Sequence, residues 1–191
     1  MLVLPTLRAP VELHTKRCVL RQWKDSDLAA WAEMNADPEV RRHFPKVLSA
    51  EQAAAEAGRC RAAIDQRGWG LWALELPGEL PFAGFVGLMP LHFDVPFVPA
   101  VEIGWRLPRA AWGRGYATEA AHAALQFAFT TLALPEVVSI AVPSNAPSLR
   151  VMARIGMTRD VAGDFDHPRV EAGHPLRRHL LYRARPAAAR V

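Results

Sequence analysis

Two stretches of the chain have residue types and spacing suited to holding an anion and doing chemistry beside it. The first is Trp112-Gly113-Arg114-Gly115-Tyr116-Ala117-Thr118-Glu119, which leads into a long alanine-rich segment. A helix start leaves backbone N–H groups unpaired and carries partial positive charge. Gly113 and Gly115 remove Cβ atoms where an anion must approach the backbone, and Arg109 and Arg114 add formal charge. Together these describe a phosphate or pyrophosphate cradle. A tight packed turn would use the same glycines. The second stretch is Asn145-Ala146-Pro147-Ser148-Leu149-Arg150, which opens the next helix. Asn145 brings an amide and Ser148 a hydroxyl donor. A helix N-cap followed by a first-turn serine would look the same. The phosphate loop Gly-x-x-x-x-Gly-Lys-Ser/Thr is absent. Thr118 stands where a dinucleotide fingerprint has its third small residue.

These groups need elements to position them. Ala100 to Leu107 reads as a strand, with Val101, Ile103 and Trp105 on one face and Glu102 on the other. Ala117, Ala120, Ala121, Ala124, Ala128 and Leu132 recur at helical spacing, and Pro135 stops that helix. Val137 to Val142 is β-branched and apolar, as a buried strand is. Strand, helix and strand make a βαβ unit with a right-handed crossover. Ligands of such sheets bind beyond the carboxyl ends of the strands, which puts the glycine loop and Asn145 on one side.

The rest of the chain supplies further elements. Val11 to Trp23 reads as one extended segment. Helices are expected from Leu28 to the stop at Pro38, and from Ala50 to Gln66. The second has Ser49 and Gln52 as a capping box and Gly68 at its end. Gly70 to Leu76 and Phe82 to Leu88 flank Pro77-Gly78 as a hairpin. Gly84 and Gly87 point to a bulge or close packing. A proline-punctuated loop runs from Pro90 to Pro99. A helix from Asn145 to Ile155 and two strands, near Met157 to Val161 and Leu176 to Tyr182, complete the reading.

Composition bounds the function. The 191 residues suit one domain, taken as 1–186 with a frayed tail at 187–191. An apolar content of 51% with a net charge of +4 excludes global disorder. No apolar run approaches the roughly 20 residues of a membrane helix, and no signal peptide is visible, so a cytoplasmic address is expected. Cys18 and Cys60 read as reduced structural thiols, and no metal site is expected. The basic bias lacks any nucleic-acid motif and fits a small anionic ligand or a solvated surface.

The glycine loop, Asn145-x-x-Ser148 about 25 residues later, and Gly156-Met157 together resemble the GNAT N-acetyltransferase superfamily. The RimJ/RimL-type branch is the more similar. Leu13-x-Thr15-x-Arg17-Cys18-x-Leu20-Arg21-x-Trp23 and Asp166-His167-Pro168 are similar to that branch too. Two positions depart from the pattern. Ala110 stands where the family often has Gln or Arg, and Met157 where it often has Phe.

The resemblance implies a mixed α/β fold. Its twisted mixed sheet has six or seven strands, helices on both faces, and a splayed V between two central parallel strands. It implies acetyl-CoA as cofactor, with backbone groups of Trp105 and Leu107 pairing with the pantetheine arm. Trp112, Gly113, Arg114, Gly115, Tyr116, Ala117 and Thr118 would hold the pyrophosphate, and Asn145 would reach the pantetheine. An amine acceptor is implied, with no nucleic acid and no membrane, in a monomer or homodimer.

Acetyl transfer needs a neutral amine, a stabilised oxyanion and a leaving thiolate. Glu102 is the expected base, acting through water; an exposed or salt-bridged strand residue would read alike. Many family members use a tyrosine as acid. Only Tyr116 and Tyr182 are present, and neither is placed for it, so Ser148 is the expected donor to the sulfur. Trp31 and Phe93 are expected acceptor contacts. A protein N-terminal α-amine is the first expected acceptor. Small amines such as amino-acid derivatives, polyamines or antibiotics are the alternative, as is a non-catalytic CoA sensor.

Overall fold

A computed structural model of the protein describes residues 4–186. The tail at 187–191 lies outside the described residues. The helices begin where local chemistry starts them. In α1 (Leu28–Ala36) the chain enters through a single 3-10 turn. Pro38 does not merely end α1; it is the first residue of a short helix, α2 (Pro38–Arg41), capped by the Asp37 side chain. In α3 (Ala50–Arg67) Ser49 and Gln52 form the reciprocal capping box, and Gly68 closes the helix at φ 81°.

The first extended segment divides into two short strands, β1 (Leu13–His14) and β2 (Val19–Arg21), paired antiparallel. The remaining strands are β3 (Leu71–Glu75), β4 (Phe85–Pro90), β5 (Val101–Arg106), β6 (Val137–Ala141), β7 (Thr158–Asp166) and β8 (Arg178–Ala184). Between them lie α4 (Tyr116–Thr130) and α5 (Ala146–Arg154). The eight strands form one sheet in the order β1-β2-β3-β4-β5-β6-β8-β7. That is one strand more than the seven segments read from the sequence, because residues 11–23 make a hairpin. Among these described strands, only β5 and β6 pair in parallel.

Helices cover both faces. Trp72 pairs across β3 and β4 with Val86, whereas Phe85 pairs with Ala73, so Trp72 and Phe85 point to opposite sides. Trp72 meets Phe127 of α4 edge-on, and Phe85 meets Trp31 of α1. The sheet approaches itself closely at two glycines. A Cβ at Gly84 would lie 2.0 Å from the Arg106 carbonyl oxygen, and one at Gly87 2.1 Å from that of Gly70. Both cysteines are free and buried, and burial pushes the Cys60 thiol up to about 12. No helix among the described residues is long and apolar enough to cross a membrane.

Candidate active site

The sheet opens at its parallel pair. β5 and β6 share one register position, Glu102 opposite Val138, and then part. A parting ladder leaves buried backbone groups that need partners. A side chain supplies one: Ser139 Oγ donates to the Ile103 carbonyl at 2.9 Å. The strands are thus pinned at the fork while their carboxyl ends separate.

Beyond the fork lies a cleft of about 320 Å³. β5 contributes Trp105 and Leu107 stands just past it. The start of α4 contributes Trp112, Gly113, Gly115, Tyr116, Ala117 and Thr118. The start of α5 contributes Asn145 and Ser148. Ten of the eleven residues expected to hold the cofactor therefore meet in one cleft. Gly113 and Gly115 take positive φ, 74° and 83°, which side chains disfavour. A Cβ at Gly113 would meet no atom within 4 Å, so it would project into open space at the cleft wall. A backbone so bared at a helix start, beside cationic side chains, fits a pyrophosphate such as that of coenzyme A.

Arg114 is the exception. Its guanidinium turns away and pairs with both carboxylate oxygens of Glu79, which also accepts from the Tyr116 hydroxyl at 2.8 Å. The loop is held from behind. Arg17 donates to the Arg114 carbonyl at 3.0 Å. Glu119, in the first turn of α4, accepts from the Arg17 N–H at 2.8 Å, from Arg17 Nε at 2.7 Å and from the Thr15 hydroxyl at 2.7 Å. The turn between β1 and β2 thereby clamps the glycine loop.

Asn145 caps α5, its side-chain oxygen accepting from the Ser148 N–H at 3.3 Å. The Ser148 hydroxyl makes no hydrogen bond among the described residues and faces a cleft it helps to line. Glu102 lies behind the fork, 7% exposed and off the cleft wall. Burial raises its carboxyl to about 8, against the opposing pull of the Ile140 N–H.

The two expected acceptor contacts lie elsewhere. Trp31 is a core residue, fully buried, its N–H on the Ala53 carbonyl at 2.9 Å and its ring against Trp23, Phe82 and Phe85. Phe93 joins a half-buried cluster with Phe165 and His167, away from the cleft lining. Burial and neighbouring positive groups lower His167 to about 4.

Several lining residues were not singled out from the sequence. Glu39, Arg42 and His43 arrive from α2 and its exit, and Arg106, Arg150 and Arg154 from β5 and α5. The i, i+4 spacing of Arg150 and Arg154 on the helix after Asn145 is the one signal that could have found any of them. Burial and the Arg42 charge lower the His43 pKa, which keeps its ring neutral beside the cleft.

Comparison with known proteins agrees with this geometry. The family model of the acetyltransferase (GNAT) domain matches residues 17–158. The FsC-acetyl coenzyme A-N(2)-transacetylase of Aspergillus fumigatus is 29% identical over 160 residues, 80% of this chain and 67% of that protein. The crystal structure of an acetyltransferase from Agrobacterium tumefaciens superposes with a TM-score of 0.72 at 30% identity, covering 93% of this chain and 96% of that one. Mycobacterium smegmatis RimJ, solved in complex with CoA-disulfide, shares the fold with a TM-score of 0.72 at 22% identity, over 95% and 90% of the two chains. With most of its length inside the matched domain, the chain belongs to the GNAT acetyltransferase family.

Proposed function

We propose that the protein transfers an acetyl group from acetyl-CoA directly to a primary amine, with a protein N-terminal α-amine as the first acceptor. The observation that carries this is the glycine-lined start of α4 opening onto the parting ends of β5 and β6. Two relatives support the donor. The Aspergillus transacetylase bears acetyl coenzyme A in its name, and RimJ was solved with a CoA derivative.

Acetyl-CoA, when bound, supplies an acyl group already activated as a thioester. The chain does the rest. Backbone N–H groups from Gly113 to Thr118 hold the pyrophosphate, and Trp105, Leu107 and Asn145 bind the pantetheine arm. Ser148 offers its unengaged hydroxyl to the leaving sulfur. A thiol with a reference pKa near 8.5 leaves readily, so one hydrogen bond is sufficient help. Glu102 takes the amine proton through water, since its carboxyl lies behind the cleft wall.

The Glu102 environment favours an α-amine. A carboxyl held at about 8 matches an α-ammonium, whose reference value is about 7.7–8.0, so the proton passes with little cost. A lysine near 10.4 would make the same step roughly two units uphill. A small-molecule amine is the second reading, favoured by the N(2) acceptor in the name of the Aspergillus relative.

Calorimetric titration with acetyl-CoA tests the donor, with a Gly113→Glu/Gly115→Glu variant as the blocked control. Binding by wild type alone supports the cradle; no binding by wild type defeats it. A thiol-release assay then compares peptides with free N-termini, the same peptides N-blocked but carrying lysine, and small amines. Turnover confined to free N-termini supports the first acceptor. Turnover confined to small amines supports the second.

A further inference from the structure

Two arginines are buried around one phenylalanine beside the cleft, and they share a single carboxylate. Arg106 is 8% exposed and Arg41 7%. Their guanidinium groups lie 4.5 Å and 4.2 Å from the centroid of the Phe44 ring. The rings of Trp31 and Phe85 stand at 5.2 Å and 5.3 Å from Arg106. Arg106 Nη1 donates to Asn35 Oδ1 at 2.7 Å and to the Glu56 carboxylate at 3.1 Å. Arg41 has no ion pair among the described residues; its Nε donates to the Lys46 carbonyl at 3.0 Å. Burial and the Arg106 charge lower Arg41 to about 10, against the pull of Glu56. Aromatic faces attract a cation but bring no negative charge. One positive charge is therefore left over, and a buried charge without a counter-ion is costly.

Arg106 also has a donor with nothing to bond. Its Nε is buried and without a partner among the described residues, where its hydrogen bonds leave from Nη1. Arg106 lines the cleft, and Arg41 stands behind it. The one carboxylate among the lining residues, Glu39, is held by Arg42 at 3.4 Å. The surplus charge thus has no answer within the cleft.

The side of the sheet tells which molecule brings the anion. Arg106 stands opposite Phe85 in register and leaves β5 toward α1 and α3, where Asn35 and Glu56 meet it. The cradle for the cofactor's pyrophosphate belongs to α4, which packs on the other face. The anion at Arg106 therefore belongs to the acceptor. Alternation along β5 puts Glu102, Gly104 and Arg106 on one face, each about 7 Å from the next. Glu102 is the register position shared with β6, and Gly104 and Arg106 follow along the parted edge. A Cβ at Gly104 would meet one atom within 4 Å, a ring carbon of Phe85 at 4.0 Å. That face is thus bare between a carboxyl and a cation. An amine over Gly104 has Glu102 on one side and Arg106 on the other. An α-amino acid carries its carboxylate on the carbon that bears the amine, too close to span the step to Arg106. An aspartate or glutamate side chain near a peptide's N-terminus spans it.

We propose that Arg106 receives an acidic side chain of the acceptor, so that the protein prefers peptides with aspartate or glutamate among their first two residues. This rests on the α-amine reading above and deepens it by naming the acceptor's chemical class. Arg106 sets specificity; it holds the acceptor and takes no proton.

The test is kcat/KM by thiol release for two pairs of peptides with free N-termini. The members of a pair differ only in glutamate or glutamine, at the first position in one pair and at the second in the other. One charge-assisted contact predicts that wild type favours the glutamate member of at least one pair by about 10–100-fold, chiefly through KM. Arg106→Gln should bring that ratio to about one, whatever its absolute rate, and Arg106→Lys should keep part of it. If Arg106→Gln does not fold, the wild-type and Arg106→Lys ratios decide. Equal kcat/KM for glutamate and glutamine in both pairs overturns the proposal and leaves the α-amine reading intact. So does a preference that Arg106→Gln retains in full. Turnover of free glutamate with no peptide turned over overturns the protein α-amine reading and this inference together.

Discussion

Glu102 stands opposite Val138 at the one register position that β5 and β6 share, and it is buried there. The pull of the Ile140 N–H does not offset that burial, so the carboxyl stays protonated up to about pH 8. Its folded value lies above the unfolded reference of about 4.3. Between the two, the folded chain keeps a proton that the unfolded chain releases. The stabilisation is therefore full below about pH 4 and is lost as pH rises through 8. Glu102→Gln keeps the acceptor and has no proton to lose. Wild-type Tm should fall more steeply from pH 6 to 9 than that of the variant. If Glu102 is the base, wild-type kcat rises with an inflection near pH 8, and the variant loses about 10²–10⁴-fold. Parallel Tm curves would refute the buried neutral carboxyl.

Ser139 pins the fork from β6. Ser139→Ala leaves the buried Ile103 carbonyl without its 2.9 Å partner. The expected cost is about 1–3 kcal/mol in urea denaturation. Ser139→Thr keeps the hydroxyl and should recover most of it. Equal stability of the alanine variant and wild type would show that water or the chain itself replaces the bond.

Two glycines should fail differently. Gly113 and Gly84 both take positive φ, 74° and 90°. At Gly113 an added Cβ meets nothing, so Gly113→Ala should fold with a loss of about 1–2 kcal/mol and bind acetyl-CoA poorly. At Gly84 the Cβ would strike the Arg106 carbonyl, so Gly84→Ala should yield little folded protein. Circular dichroism and calorimetry on the pair check this; a well-folded Gly84→Ala contradicts it.

Ser148→Ala removes a cleft-lining hydroxyl that makes no hydrogen bond among the described residues. Folding and acetyl-CoA affinity should hold, while kcat falls about tenfold, the value of one hydrogen bond to the departing sulfur. An unchanged kcat would remove Ser148 from the chemistry.

What the sequence revealed was mostly local. The capping box of Ser49 and Gln52 and the Gly68 stop depend on neighbours a few residues apart, and they place α3 to within a residue. The glycine loop and Asn145 were visible because each begins a helix in a βαβ unit, and that unit fixes on which side they emerge. The split of residues 11–23 was not visible. Its turn, Thr15 to Cys18, has no Gly, Pro or Asn, and is tied by the Thr15 hydroxyl to the Cys18 N–H and to the distant Glu119. Trp31 misled because helical spacing gives the period of a face but not what covers it. Arg42 and His43 reach the cleft only through the packing of a four-residue helix.

The clamp of Thr15 and Arg17 on Glu119 also sets a timetable. Its partners lie 104 and 102 residues apart. At about 5–20 residues per second, a ribosome makes the first hairpin roughly 5–20 s before the helix that completes it. For that interval the hairpin has no α4 to hold. The anion-binding loop is therefore among the later parts of the protein to be finished, and only once the two stretches of chain have met.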